Sequence, residues 1–258
     1  MDGRVTMADV AREAEVSVMT VSRVVNDKGE ISPATRQRVL EVIQRLGYRP
    51  SAIARGLATN RTGTLGLVVP DIANPFFSDI ARGVEEKAYA AGYNVFLCST
   101  YEDPDRESDV LRSLEDKRVD GLLLCSSRLD DAVLRTALAG FPAVVLTNRR
   151  LEGHNACSVR VDSELGGRLA PEMLLEAGHR RVGFLKGPPT SVDGRLRVSG
   201  YHSALDAAGV PLGADLEREC PSNVEGGRLV AREFLAVHRD FTALLCYNDL
   251  VAIGALQA

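Results

Sequence analysis

The sequence predicts a multi-domain protein: a small all-α head, a short hinge, and a larger α/β domain of two similar lobes, each with a parallel sheet. Three observations carry this. Residues 6–47 hold three helical segments with clear start and stop signals; from residue 64 onward, short β-rich apolar runs alternate with helical stretches; and that second region echoes itself at an offset of 117 residues. At 258 residues, 45% apolar and 26% charged, the chain is long enough for both parts.

In the head, Thr6 is placed to cap a helix whose apolar positions Met7, Val10, Ala11 and Ala14 recur at three and four residues. Ser17 caps a second helix, with Val21, Val24 and Val25 turned inward and Val18, Met19, Ser22 and Arg23 turned outward. Ser32-Pro33 starts a third, where proline at the first helical position gives up an amide that would have no partner, and Gly47 ends its stripe of Val39, Val42, Ile43 and Leu46. The tight turn between the first two makes a helix-turn-helix whose second helix can enter a DNA major groove. Ser17, Thr20, Ser22 and Asn26 are short donors suited to phosphate oxygens, and Arg23 can reach a guanine edge or a phosphate. Trihelical bundles that bind nothing share the helix pattern, but their solvated faces carry Glu and Lys instead.

A formal net charge of -4 looks wrong for a DNA binder until the chain is divided. Residues 1–62 carry ten basic against seven acidic side chains, and the rest twenty-one against twenty-eight, so the excess positive charge lies in the head. Cys98, Cys125, Cys157, Cys220 and Cys246 are odd in number and widely spaced, which indicates core thiols rather than a disulfide framework or zinc site. No cofactor is expected. No apolar run approaches a membrane span and none follows Met1, so a soluble cytoplasmic protein is expected.

Beyond the hinge, strands are expected at 64–69, 94–98, 121–125 and 143–146, with helices at 75–91, 104–115 and 130–139. A second series follows: a helix at 162–177, a strand at 181–186, helices at 192–208 and 225–237, a strand at 243–246, and a last helix from Asp249, which is expected to cap it. The runs read as buried parallel strands. In the echo, Leu65-Gly66-Leu67 aligns with Val182-Gly183-Phe184, Gly83 with Gly200, and Ala91-Gly92 with Ala208-Gly209. Two facing lobes follow, with a cleft beyond the carboxyl ends of their strands. Phe76 and Phe77, soon after the first strand, either border that cleft, where an aromatic face suits a sugar ring or a base, or pack beneath the first helix. Pro171 should remove one hydrogen bond from its helix and kink it. An enzyme is not expected: the dinucleotide, phosphate-loop, nucleophile-elbow and zinc-helix motifs are missing, and His154, His179, His202 and His238 are scattered.

Val10-Ala11, Val16-Ser17, the run Thr20-Val21-Ser22-Arg23-Val24-Val25-Asn26, Thr35-Arg36, and Leu46-Gly47-Tyr48-Arg49-Pro50 together resemble the lactose-repressor (LacI/GalR) family of bacterial transcription regulators. Ser51-Ala52-Ile53-Ala54-Arg55-Gly56-Leu57 is similar to that family's hinge. The resemblance implies a head over 1–50, a hinge over 51–62, and a periplasmic-binding-protein-like effector domain with lobes over 63–161 and 162–258. It implies base contacts from Val18, Met19 and Arg23, the first two against thymine methyl groups. Backbone contacts would come from Thr6, Ser17, Thr20, Ser22, Asn26, Thr35 and Tyr48, and minor-groove contacts from Ala54 and the wedge Leu57.

Seven hinge residues containing Gly56 are too few to stay helical in water, so the hinge is expected to order only when two copies pack over DNA. For the effector, by family resemblance a carbohydrate, the resemblance implies Phe76, Phe77, Asn148, Arg197 and Asn248. Asn148 stands where many members have Asp, so sugar preference does not transfer. The partners implied are a pseudo-palindromic operator, a small-molecule effector and a second copy of the chain. Measured against the first series, the second is shorter, and its lobe is expected to be incomplete, which bears on dimerisation. A ligand-binding or interaction protein without operator-specific function stays open, and salt-dependent binding to a symmetric site separates the two.

Overall fold

The computed structural model describes residues 5–49 and 61–258, and the chain divides into two compact units, 1–62 and 63–258. The hinge residues Ala54 and Leu57 lie outside the described residues.

In the first unit, α1 (Met7–Glu13), α2 (Val18–Val25) and α3 (Pro33–Leu46) begin where their caps direct. Thr6 accepts from the Asp9 amide while the Asp9 carboxylate accepts from the Thr6 amide, a closed capping box. Ser17 and Ser32 accept from the amides of Thr20 and Thr35, and Gly47, at φ 64°, takes the left-handed turn that ends α3. Helices of seven and eight residues are too short to stand alone. They hold because Val10, Val21, Val24, Val39 and Val42 bury against one another, each contributing roughly 1.5–3 kcal/mol.

The second unit contains two all-parallel sheets. In the first, β1 (Thr64–Val69) pairs with β2 (Asn94–Ser99) and β3 (Gly121–Cys125), and β4 (Val144–Thr147) and β5 (Cys157–Val159) extend it in the order β2-β1-β3-β4-β5. The helices between them are α4 (Pro75–Ala90), α5 (Pro104–Asp116) and α6 (Asp131–Leu138). After α7 (Ser163–Glu176), β6 (Val182–Lys186) is flanked by β7 (Glu217–Glu219) and β8 (Ala243–Cys246), in the order β7-β6-β8. Its helices are α8 (Val192–Ala207), α9 (Val224–Val237) and α10 (Asp249–Leu256). The order β2-β1-β3 is thus repeated as β7-β6-β8, and α8 repeats α4 residue for residue at the offset of the sequence echo.

Several expectations need correction. The strands β5 and β7 have no apolar signal, being Cys157-Ser158-Val159 and Glu217-Arg218-Glu219; their partners in the ladder make them strands. Not every strand is buried: β2 is an edge, and its Phe96 and Leu97 remain exposed. Cys157 is exposed on the other edge, so it is not a core thiol. Asn248, not Asp249, caps α10, because Asn248 has the extended backbone that aims its side chain at the Val251 amide. Pro171 lies inside α7, as expected, and is buried.

Glycine fixes how the second lobe's helices meet. Any side chain on Gly200 of α8 would strike the backbone of Glu164 and Arg168, and one on Gly167 of α7 would strike the backbone of Arg197, so the two helices touch main chain to main chain. Gly227 and Gly254 do the same for α9 and α10. Among the described residues, no helix is long and apolar enough to cross a membrane.

Candidate functional site

The head presents one face of α2. Val18 is 48% and Met19 64% exposed, although both are large apolar residues, while Val21 and Val24 on the opposite side are buried. Arg23 is exposed at the end of the same helix. The polar residues around it are already tied into local bonds. The Ser17 and Thr20 hydroxyls lie 2.9 Å apart, Asn26 donates to the Ser22 carbonyl at 2.8 Å, and Ser32 donates to the Thr35 hydroxyl at 2.9 Å. The Thr6 hydroxyl donates to Asp9 at 2.7 Å and, with the Arg12 guanidinium nearby, holds that carboxyl below its ordinary range. Tyr48 is buried in the head's core rather than displayed. Two bare apolar side chains at the start of α2, among hydroxyls, and a cation in its last turn can do what a base-reading surface requires: contact methyl groups and hydrogen-bond edges and phosphates.

In the second unit, a cavity of about 830 Å³ opens beyond the carboxyl ends of both sets of strands, as the topology dictates. Asn74, Pro75, Phe76 and Phe77, Asn148, Arg197 and Asn248 all line it. The structure therefore gathers every expected effector residue at one cleft.

Their states differ. Asn74 caps α4, accepting from the Phe76 amide at 3.0 Å, which leaves Phe76 half exposed and turns Phe77 into the core against Leu67 and Val69. The two rings meet edge to face at 5.1 Å. Asn148, at φ 54°, points toward Ser126. Arg197 donates to the Tyr247 carbonyl at 2.6 Å and stacks over the Tyr247 ring at 4.9 Å, which fixes its planar fork at the cleft wall. Arg195, by contrast, is exposed and bonds the Pro189 carbonyl. Asn248 is half-buried; its oxygen caps α10 and its amide nitrogen lies 3.4 Å from the Ser222 carbonyl.

The cleft also contains residues that sequence reasoning missed: Glu102, Ser126, Arg128, Asp193, Ser222 and Tyr247. A signal existed for most of them. Glu102, Arg128, Ser222 and Tyr247 each follow a strand end within a few residues, and Asp193 stands at the echo position of Phe76. Asp193 is buried and accepts from Ser163 at 2.9 Å. Beneath the cleft, buried Glu107 accepts from Ser127 and, at 2.8 Å, from the Arg128 amide. Burial raises its carboxyl above the ordinary value of 4.5 despite those bonds. Burial is the largest influence on Arg128 and works against its charge, but its bond to Glu102 together with the nearby charges of Glu102, Tyr247 and Glu107 outweighs this and holds the guanidinium above its ordinary value.

Comparison with known proteins agrees with this division. Residues 6–51 match the bacterial regulatory proteins of the lacI family, and residues 62–258 match the periplasmic binding proteins and sugar binding domain of the LacI family. The chain is similar to the HTH-type transcriptional regulator GalR of Salmonella typhimurium, strain LT2, at 37% identity over 251 residues, covering 97% of this chain and 73% of GalR. The crystal structure of the lac repressor dimer bound to operator and the anti-inducer ONPF is similar at a TM-score of 0.82 and 29% identity, covering 99% of this chain and 77% of the repressor chain. The complex of the transcriptional regulator CelR with cellobiose is similar at a TM-score of 0.67 and 33% identity, with coverage of 98% and 77%. A helix-turn-helix head followed by two Rossmann-like lobes defines a ligand-responsive DNA-binding regulator. The chain belongs to the LacI family of bacterial transcription regulators.

Proposed function

We propose that the chain binds a pseudo-palindromic operator as a homodimer, acts as a repressor in the cytoplasm, and changes its operator affinity when a carbohydrate enters the interlobe cleft. In this reading residues 1–50 are the DNA-binding head, 51–62 the hinge, and 63–161 and 162–258 the two lobes. It does no chemistry on its ligand. Val18 and Met19 contact thymine methyl groups and Arg23 a base edge, while Thr6, Ser17, Thr20, Ser22, Asn26 and Thr35 hold the phosphate backbone; Tyr48, buried in the core, supports the head instead. Ala54 and Leu57 enter the minor groove.

The observation that carries the DNA half is the exposed pair Val18 and Met19 beside Arg23 on a helix whose other face is fully buried. The cleft supports the effector half. Its lining alternates an aromatic face, amides, hydroxyls and a fixed arginine, which is the mixture that a polyhydroxylated ring binds. The operator-bound lac repressor and the cellobiose complex of CelR, both similar over nearly the whole of this chain, support the same reading.

The test is a calorimetric titration of the whole protein with a panel of neutral mono- and disaccharides, paired with operator affinity measured with and without each sugar. One sugar should bind and shift operator affinity. If none binds and none shifts it, the carbohydrate reading is wrong. Replacing Leu57 with Ala should weaken operator binding far more than binding to random DNA; equal losses would remove the wedge.

A further inference from the structure

The first lobe sends one carboxylate across the cleft. Glu102 Oε1 accepts from the Ser222 hydroxyl at 2.8 Å, joining residues 120 positions apart, while Oε2 accepts from Arg128 Nε. Arg128 is almost wholly buried, and its Nη1 donates to the Ser126 carbonyl at 3.0 Å. A buried guanidinium must be paired, and here the protein pairs it from within.

The loop is shaped for this. Tyr101 and Glu102 are consecutive non-glycine residues at φ 56° and 64°, a left-handed conformation that side chains of this size rarely adopt and that persists where surrounding contacts enforce it. The result leaves Tyr101 exposed and Glu102 turned into the cleft. Glu102 and Ser222 border both the main cavity and a second one, of about 490 Å³, on the Tyr101 side. Their bond therefore stands as a partition between the two.

We propose that Glu102 is a specificity-determining residue of the cleft: its carboxylate fills the anion-binding end of Arg128 and ties the Ser222 loop to the first lobe, so that this end takes uncharged hydroxyls and excludes carboxylate or phosphate groups. The proposal rests on the cleft being the effector site. A ligand anion placed near Arg128 would meet the charge of Glu102 there and that of Glu107 just beneath. A neutral hydroxyl meets no such opposition and finds Ser126, Asn148 and Ser222 close by. Arg197 on the opposite wall is unaffected by Glu102, so a ligand carrying an anion would have to turn it toward the second lobe.

The test uses inorganic sulfate as the probe, so that it does not depend on knowing the effector. Glu102→Gln uncovers Arg128 and should bind sulfate at least about tenfold more tightly than the unaltered protein in calorimetric titration. Glu102→Asp, which keeps the charge, should not, and Arg128→Met in the Glu102→Gln background should abolish the gain. Equal sulfate binding by the unaltered protein and Glu102→Gln overturns the proposal. Should Glu102→Gln fail to fold, Ser222→Ala tests the tie alone: the amides of Glu102, Asp103 and Asn223 should exchange with solvent faster than in the unaltered protein, and unchanged exchange overturns it. Failure of every sugar to bind would sink the effector reading while leaving the sulfate result standing.

Discussion

The β1–α4 unit of the first lobe and the β6–α8 unit of the second have the same plan. Each runs from a parallel strand through a loop to a polar cap, Asn74 or Ser191, and a helix of sixteen residues that ends at Ala91-Gly92 or Ala208-Gly209. Yet their cleft-facing positions differ in chemistry. Phe76 in the first unit stands where Asp193 stands in the second, Phe77 where Gly194 stands, and Ile80, packed on the core, where Arg197 stands. At these equivalent positions α4 offers the cleft an aromatic ring and α8 an acid and a fixed guanidinium, while the first lobe's own charged pair, Glu102 and Arg128, comes from the loops after β2 and β3. The repeat of fold is thus set by strands, caps and helix stops, whereas the side chains in the first two turns of each helix, which those signals leave free, differ between the lobes.

The glycines give the sharpest break in that symmetry. Gly83 and Gly200 are equivalent in sequence, but a methyl group at Gly83 would meet nothing within 4 Å, while one at Gly200 would meet the backbone of α7. Gly200→Ala should therefore cost the second lobe about 3 kcal/mol as α7 and α8 are forced apart. Gly83→Ala should instead stabilise the first by roughly 0.5–1 kcal/mol through helix propensity alone. Urea unfolding of both variants checks this, and losses of similar size would show that the two helices are packed alike after all.

A smaller effect is expected at Arg197 and Ile80. Arg197→Ala should lose roughly 1.5–3 kcal/mol of effector binding and abolish the ligand response while leaving operator affinity in the free state intact. Ile80→Val should cost roughly 0.5–1.5 kcal/mol of stability and leave the ligand response alone. An unchanged dose response in Arg197→Ala would place the effector elsewhere.

The smallest effect is a pH dependence confined to the first lobe. Glu107 holds its proton to a higher pH in the folded chain than in the unfolded one. Its contribution is thus fully present below the unfolded value near 4.5 and is lost as pH rises through the raised folded value. Glu107→Gln should remove that part of the decline, so the difference in urea midpoint between the two proteins should change as pH rises above 4.5 and level off once the folded carboxyl has ionised. A difference that is flat across this range would mean that the carboxyl is ionised in the folded state just as in the unfolded one.

Much of this was legible in the sequence because the signals were local. Thr6, Ser17 and Ser32 each cap the helix that their neighbours specify, and Gly47 and Gly209 take the left-handed turns that end theirs. The long apolar strands could be read directly, whereas β5 and β7 could not, since only partners distant in sequence make them strands. The same limit governed the cleft. Arg197 and Asn248 sit in recognisable motifs, but Glu102 is a plain acidic residue after an edge strand until folding sets it beside Arg128 and Ser222. Asn248 and Asp249 can both cap by composition, and only the backbone angle decides for Asn248.

In the proposed function the face of α2 reads DNA in two symmetric copies. Selecting duplexes from a randomised pool with the whole protein, then measuring the enriched sequences at two salt concentrations, decides whether it does. A symmetric motif rich in thymine where Val18 and Met19 would lie, retained at the higher salt, is the expected result. Unselective binding that disappears with salt, with no symmetric motif enriched, would contradict it.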